Sequence, residues 1–401
     1  MRILFLTTVR ISDIEEKGIY QDLIRTFRNN GHQMYVACPN ERRYKSGTRL
    51  IEKDNVNILL IGTLNMQKTN IIEKGISLIL FQKQFITAIN KYFKDLKFDL
   101  IIYSTPPITF CNVIEYFKRK SKAKTYLLLK DIFPQNAVDL GLLKKNSLIY
   151  KYFLNKEKKL YHISDYIGCM SQANVEYLIR HYPNMRSSIV EVNPNCIEIP
   201  FNTRAQTDKE ALRLKFNLPL FKTIFIYGGN LGKPQGVDFI IKCLEANKQK
   251  TNAFFLIVGA GTEYRKLENW FILHNPPNIR LITSLPKIEY DELLTVCDIG
   301  LIFLDFRFTI PNFPSRMLSY LENKMPILSA TDEATDIGSI AVQNGFGLSC
   351  KSNNVQKFSD LIDYFLNNKS VINEMGSNGY EYLKNNYTAK ISYDCIMKHF
   401  D

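Results

Sequence analysis

What this chain of 401 residues lacks narrows the reading first. Its uninterrupted aliphatic stretches, such as Leu100 to Tyr103 or Leu78 to Phe81, fall far short of the ~20 residues that span a bilayer, so no membrane-crossing segment is expected. The start, Met1-Arg2-Ile3-Leu4-Phe5-Leu6-Thr7, has no small-residue cleavage site and reads as a first β-strand, not a signal peptide. Cysteine is sparse: the eight residues (Cys38, Cys111, Cys169, Cys196, Cys243, Cys297, Cys350, Cys395) show no CxxC or paired spacing, and most sit in apolar runs. Reduced core thiols are expected, without disulfides or zinc. The five histidines (His32, His162, His181, His274, His399) have no metal-ligand spacing, so no metal site is expected. The single tryptophan, Trp270, reads as core on a helix. No recognition helix, zinc module or aromatic-basic RNA motif is present, which argues against nucleic acid as a partner despite the basic charge.

What is present is a globular composition: 45% hydrophobic residues, with 26 Phe and 22 Tyr, argue against disorder. The length suits two domains, each with its own core. Short runs rich in Ile, Val, Leu and Phe alternate with longer amphipathic stretches, the pattern of βα units and parallel sheets. Strands are expected at 2–7, 33–38, 56–61, 99–103, 124–129 and 165–170, and again at 222–228, 253–259, 278–284, 299–304 and 325–330. The break from Asn193-Pro194-Asn195-Cys196 through Thr203, followed by a charged helical stretch from Asp208 to Phe216, marks the domain boundary. The expected organisation is a first domain over 1–200, a second over 201–380 and a last helix over 381–401 that returns to the first. Doubly wound sheets bind ligands at the carboxyl ends of their strands, so two such domains place a site in the cleft between them.

The net charge of +13 is unevenly spread: residues 1–200 hold 30 Lys+Arg against 18 Asp+Glu, and the remainder 22 against 21. Uniform compositional drift does not predict that split. A helix over 71–97 gathers Leu78, Phe81, Phe85, Ile89, Tyr92 and Leu96 on one face and Lys83, Lys91, Lys94 and Lys97 on the other. That pattern fits a core helix with a solvated lysine face, or a surface helix lying on anionic lipid, with Lys118, Arg119, Lys120, Lys122 and Lys124 adding charge.

Three strand ends carry candidate chemistry. The turn Gly228-Gly229-Asn230-Leu231-Gly232-Lys233-Pro234-Gln235-Gly236 leaves a strand and enters a helix; its glycines open backbone N–H groups to an anion, and Lys233 adds a full positive charge. The segment Pro314-Ser315-Arg316 opens another helix, where Ser315 and Arg316 can hold phosphate. Ser319 and Glu322 lie one and two turns deeper, within reach of ribose hydroxyls. The alternative for this segment is a surface Arg on a capped helix. In the first half, Asp131 ends the apolar strand Leu127-Leu128-Leu129-Lys130, an expensive place for a carboxylate without a partner or ligand. Its alternative is a cap on the following turn or a pair with Lys130.

At these motifs the sequence resembles the glycosyltransferase family 4 enzymes of bacterial surface polysaccharide assembly (capsule and O-antigen), which have the GT-B fold. The carriers are Gly18-Ile19-Tyr20 with Gly31-His32, Leu129-Lys130-Asp131-Ile132-Phe133-Pro134, the Gly229 to Gly236 loop, and Pro314-Ser315-Arg316 followed by Lys324-Met325-Pro326-Ile327. The resemblance implies an α/β GT-B chain of two facing Rossmann-like domains that carries out retaining, metal-independent transfer from a nucleotide-sugar, usually a UDP-sugar. By the same resemblance no cofactor is expected beyond the nucleotide-sugar substrate. The second domain would bind the donor, and the first a polyprenyl-diphosphate-linked glycan, at the cytoplasmic face of the cell membrane. Lys233 and Arg316 match positions facing the donor diphosphate and Asp131 an acceptor-side position. Gly18, Gly229, Asn230, Gly232, Gln235, Ser315, Ser319 and Glu322 complete the expected nucleotide-sugar site.

Two departures from the family pattern stand out. Many members have two glutamates eight residues apart where this chain has Pro311 and Ser319, and Arg and Lys where it has Asn230 and Gln235. Glu322 then becomes the candidate for the ribose, and Lys233 the nearest cation in the loop. The competing readings are a nucleotide-sugar epimerase on the same fold and a non-catalytic nucleotide-sugar-binding partner.

Overall fold

The structure, a computed structural model, describes residues 1–65, 71–106, 108–199 and 208–400, and within 71–79 the helical backbone alone. The chain divides into two units, Met1–Glu198 with Ala389–Asp401, and Ile199–Thr388. Of the stretch read as a break, 193–203, residues 200–203 lie outside the described residues.

The first unit is built on β1 (Arg2–Leu6), β2 (Gln33–Glu41), β3 (Arg49–Lys53), β4 (Val56–Thr63), β5 (Leu100–Ser104), β6 (Lys124–Leu129), β7 (Tyr166–Cys169) and β8 (Val190–Val192), in the order β3-β4-β2-β1-β5-β6-β7-β8. All neighbours pair in parallel except β3 with β4. The central strands β1, β5 and β6 are buried on both sides, apart from the first residue of β1 and of β6, and are mostly apolar, because helices cover both faces and no polar alternation is needed. The second unit has β9 (Thr223–Gly228), β10 (Ala253–Val258), β11 (Ile279–Ile282), β12 (Ile299–Phe303), β13 (Ile327–Thr331) and β14 (Gly347–Lys351), an all-parallel sheet ordered β11-β10-β9-β12-β13-β14. Strand order reverses between β1 and β5 in the first unit and between β9 and β12 in the second. At each reversal, loops splay apart beyond the carboxyl ends and leave a crevice.

Every strand expected from the sequence is present, and three more appear. Strand β3 is a short, partly exposed edge reached through Asp54-Asn55, both at positive φ (48° and 62°), a hairpin turn that polar side chains tolerate. Strand β8 has three residues, and β14 opens on Gly347 and is only partly buried, so neither shows a long apolar run.

The returning segment begins later than residue 381. Helix Lys369–Asn386 stays in the second unit because Gly376 and Gly379 let it press against the Lys324 carbonyl and the Leu321 side chain. Helix Ala389–Met397 belongs to the first unit, where Tyr393 meets His32 at 3.0 Å and Ser392 donates to Asn193 at 2.7 Å. The helix expected over 71–97 runs Ile71–Tyr92. Phe81, Phe85 and Ile89 are buried, with Phe81 and Phe85 ring centroids 5.1 and 5.3 Å from Phe110, so this face is core; the side chain of Leu78 lies outside the described residues. Each buried phenylalanine contributes roughly 1.5–3 kcal/mol. Lys83, Lys91, Lys94 and Lys97 are all exposed.

Candidate active site

In the second unit the loops after β9, β10 and β12 are joined by backbone contacts. Leu231 N–H donates to the Ala260 carbonyl (2.9 Å), Glu263 N–H to the Leu231 carbonyl (2.9 Å), and Asp305 N–H to the Pro234 carbonyl (2.9 Å). A Cβ at Gly259 would overlap the Gly229 carbonyl, so glycine permits this closeness. Gln235 Oε1 accepts from Gly232 N–H (3.1 Å) and Asn230 Nδ2 (3.2 Å). Asn230, Gly232 and Gln235 thus hold the shape of the loop itself.

Arg316 opens helix Arg316–Glu322 and lies against this loop. Its guanidinium carbon sits 4.3 Å from the Tyr227 ring centroid, and Nη2 is 3.2 Å from where a Cβ of Gly229 would stand. Gly229 is at φ 134°, a conformation other residues rarely adopt. Tyr320, one helical turn on from Arg316, accepts the Gly228 N–H through its hydroxyl at 3.1 Å. The Tyr290 hydroxyl fills the space a Gly228 side chain would take.

Arg316 forms no salt bridge among the described residues, and its Nη1 is buried without a hydrogen-bond partner. Burial works to lower the pKa of the guanidinium, but Tyr227 and Tyr320 outweigh it and the net shift is upward. Burial pushes the Tyr320 phenol up to about 12 and raises Tyr227 and Tyr290 as well, so all three stay neutral. The result is a fixed positive charge in a neutral phenolic cage with one donor unspent. Such a group is suited to a phosphate, because desolvation is already met and no carboxylate competes.

The other expected residues fall around it. Ser315 is exposed at the start of the same helix, and Ser319 and Glu322 are half-buried farther along. Lys233 is exposed and lines a different face of the loop, together with Gly236 and Asp305. Arg307, beside it, is neutralised: it forks Asp305 with two bonds of 2.8 Å. The structure therefore joins Arg316 to Gly229 and places Lys233 on another flank. Pro311 is buried next to Asn312, whose N–H donates to Thr335 Oγ1 (3.0 Å). Thr335 in turn donates to Asp332 (2.9 Å), a carboxyl that burial raises to about 6. The three tyrosines and Gly259 were not singled out from the sequence. The usable signals were Tyr227 directly before Gly228-Gly229, Tyr320 four residues after Arg316 on the same helix face, and Gly259-Ala260-Gly261 at a strand end.

In the first unit, Gly18 precedes helix Ile19–Asn29, and its N–H donates to Asp22 Oδ1 (3.0 Å). Asp22 is also held by Arg25 (2.6 Å) and accepts the Glu198 N–H (2.9 Å). Asp131 is half-buried at the end of β6. The Thr105 hydroxyl oxygen accepts the N–H groups of Lys130 (2.9 Å) and Asp131 (3.1 Å), and Asn136 donates to Asp131 Oδ1 (2.9 Å). Burial raises the Asp131 carboxyl to about 6, with Asn136 opposing, and lowers the Lys130 amine to about 8. Lys130 and Asp131 form no ion pair among the described residues, so the pairing alternative for Asp131 is set aside. Among the described residues, no three His, Cys, Asp or Glu side chains gather as a metal site.

Residues 208–382 match the family model "Glycosyl transferases group 1". The chain is 23% identical over 327 residues to WbjE of Pseudomonas aeruginosa, named a probable glycosyltransferase, covering 81% of this chain and 79% of that one. It is 26% identical over 205 residues, half of either chain, to WcaI of Escherichia coli, whose name assigns it to colanic acid biosynthesis as a glycosyl transferase. Among solved structures, sucrose-phosphate synthase from Thermosynechococcus elongatus aligns over 100% of this chain and 98% of its own (TM-score 0.75, 12% identity). HepE of Anabaena, solved with UDP and glucose, aligns over 100% and 99% (TM-score 0.71, 14% identity). With two doubly wound units and a glycosyl transferase domain that holds the Arg316 cage, the chain is a glycosyltransferase of the GT-B fold.

Proposed function

We propose that this enzyme is a family 4 retaining glycosyltransferase that moves a sugar from a UDP-sugar to a polyprenyl-diphosphate-linked saccharide in surface polysaccharide assembly. The observation that carries the reading is Arg316, a half-buried cation at the carboxyl edge of the second sheet, whose Nη1 is fully buried without a hydrogen-bond partner and which has no acidic partner among the described residues. As the bond from the sugar to the donor diphosphate breaks, negative charge grows on the leaving phosphate, and a preorganised guanidinium stabilises that charge. Arg316 supplies it without a metal ion, and Lys233 adds a second positive charge from the Gly-rich loop. Ser315 hydrogen-bonds the phosphate, while Ser319 and Glu322 address the ribose. Gly18 and Asp131 serve the first unit's side of the reaction, with Asp131 orienting the acceptor.

Two relatives support the donor and the setting: HepE has also been solved with UDP-glucose, and WcaI is named for colanic acid biosynthesis. The lysine face of helix Ile71–Tyr92 and the surplus positive charge of the first unit fit a protein resting on the anionic inner face of the cell membrane.

The test is UDP release from a panel of UDP-sugars with lipid-linked acceptors, in the presence and absence of a chelator. Chelator-insensitive release that Arg316→Ala lowers by about 10²–10³-fold, with the circular dichroism spectrum unchanged, is expected. Full activity in Arg316→Ala overturns the phosphate assignment. Interconversion of epimers without acceptor moves the enzyme to the epimerase class, and donor binding without turnover on any acceptor makes it a binding partner.

A further inference from the structure

The second unit holds a pocket of about 500 Å³ that shares only Lys233 with the donor reading. Lys233 and Gly236 of the Gly-rich loop belong to its wall, but Tyr227, Gly229, Tyr290 and Arg316 do not. The topology separates the two places. From β9 the chain crosses to β10 on one side, and from β12 to β13 on the other, so right-handed crossovers put helices Val237–Asn247 and Arg316–Glu322 on opposite faces of the sheet. Helix Val355–Asn367 packs on Val237–Asn247, burying Phe358 and Ile362 in the core that holds Val237 and Ile240. The pocket opens at the amino ends of these two helices, of 11 and 13 residues.

Its chemistry is that of an anion site. No side chain caps helix Val237–Asn247; the Phe239 N–H donates to the Gly236 carbonyl (2.8 Å), which leaves the Val237 and Asp238 N–H groups and the positive dipole end open. Three carboxylates on the wall are already spent: Asp238 and Glu263 on Lys266 (3.1 and 3.0 Å), and Asp305 on Arg307 (2.8 Å). Lys233 and Lys242 have no acidic partner among the described residues, so the net local charge is positive. Independently, Ser352 lines the pocket at 4% exposure, and its hydroxyl is buried with no hydrogen-bond partner. A native fold seldom leaves such a group unmet without a ligand to meet it. Beside these polar groups, Phe239 and Phe306, the latter 41% exposed, form an apolar wall.

We propose that this pocket is a second ligand site, which takes a phosphomonoester with an apolar or aromatic body. The phosphate sits between Lys242, the Ser352 hydroxyl and the open amides of helix Val237–Asn247, and the body lies against Phe239 and Phe306. Because Asp305 N–H bonds the Pro234 carbonyl, an occupant also braces the Gly-rich loop.

The experiment is calorimetric titration of the full chain, saturated with UDP, with phenyl phosphate and separately with inorganic phosphate. Binding of phenyl phosphate to the UDP-saturated chain is expected, with affinity falling about tenfold or more in Lys242→Glu, where an attractive charge becomes repulsive. Ser352→Ala should weaken phosphate binding severalfold while raising the Tm of the free protein, since an unmet buried hydroxyl is removed. A hydroxyl with a merely structural role would not couple the two. Phe306→Ala should weaken phenyl phosphate and leave inorganic phosphate unchanged. The proposal is overturned if phenyl phosphate fails to bind, if it displaces UDP, or if neither Lys242→Glu nor Ser352→Ala changes its affinity. Should the chain not bind UDP at all, the donor assignment fails while phenyl phosphate binding still reports on this pocket.

Discussion

The two units share a doubly wound plan but treat charge in opposite ways. The second is nearly neutral, with 20 Lys+Arg against 19 Asp+Glu, yet it holds one cation, Arg316, unpaired in a phenolic cage. The first carries a surplus of 32 against 20, spread over its surface, while the group at its strand edge, Asp131, is a carboxyl that burial pushes toward neutrality. A surplus of exposed charge is diffuse and screened by salt, whereas a single buried charge is directional and costly. A unit's net charge therefore says little about where its chemistry lies. What marks a site is a partly buried ionisable group that the fold leaves without a counter-charge.

The sharpest break of this comparison is Arg316→Ala. Loss of one preorganised donor to a developing charge lowers turnover by about 10²–10³-fold. No partner is left stranded, so the Tm should stay within a few degrees of the parent. A large loss of Tm would show that the cage needs the guanidinium for folding. Next in size is Gly259→Ala, whose added methyl would strike the Gly229 carbonyl. A cost of about 1–3 kcal/mol in urea unfolding is expected, together with weakened UDP binding as the loop is displaced.

Asp131 gives a smaller effect of defined sign. Its folded pKa of about 6 lies above the ordinary 3.8 of an aspartate, so its contribution to stability is complete below pH 4 and is lost as pH rises through 6. Asp131→Asn should therefore be more stable than the parent by about 1–2 kcal/mol at pH 7.5, with the difference vanishing below pH 4. Equal stability at both pH values would place the carboxyl in water. The smallest effect tests the surface charge. Lys83→Gln should reduce sedimentation of the full chain with anionic vesicles by about fivefold at low salt, and leave its behaviour with neutral vesicles unchanged. Equal recovery with both vesicle types in the parent would return the surplus to compositional drift.

The elements legible in the sequence were those with one dominant local signal. Eleven strands announced themselves as continuous apolar runs because both faces of their sheets are covered; β3, β8 and β14 were silent because each is short, at an edge, or only partly buried. Among the candidate site residues, Arg316 and the Gly-rich loop were visible as motifs. Asn230 and Gln235 were legible as positions but not as roles, since their hydrogen bonds turn inward to shape the loop. Tyr290 could not be found at all, because it comes from a helix that no motif links to the Gly-rich turn.

By itself the amino-acid order determined the α/β class, the repeated strand-turn-helix opening of each half, and the kind of chemistry, because periodicity, glycine and fixed charge act over a few residues. Tertiary structure alone decided which of those charges stay unpaired. Arg307 and Arg316 lie nine residues apart and look alike in sequence, but Arg307 is spent on Asp305 while Arg316 is half-buried against tyrosines drawn from two other segments. Whether a charge is available depends on what surrounds it in space, and that is set when distant strands pair and their loops converge.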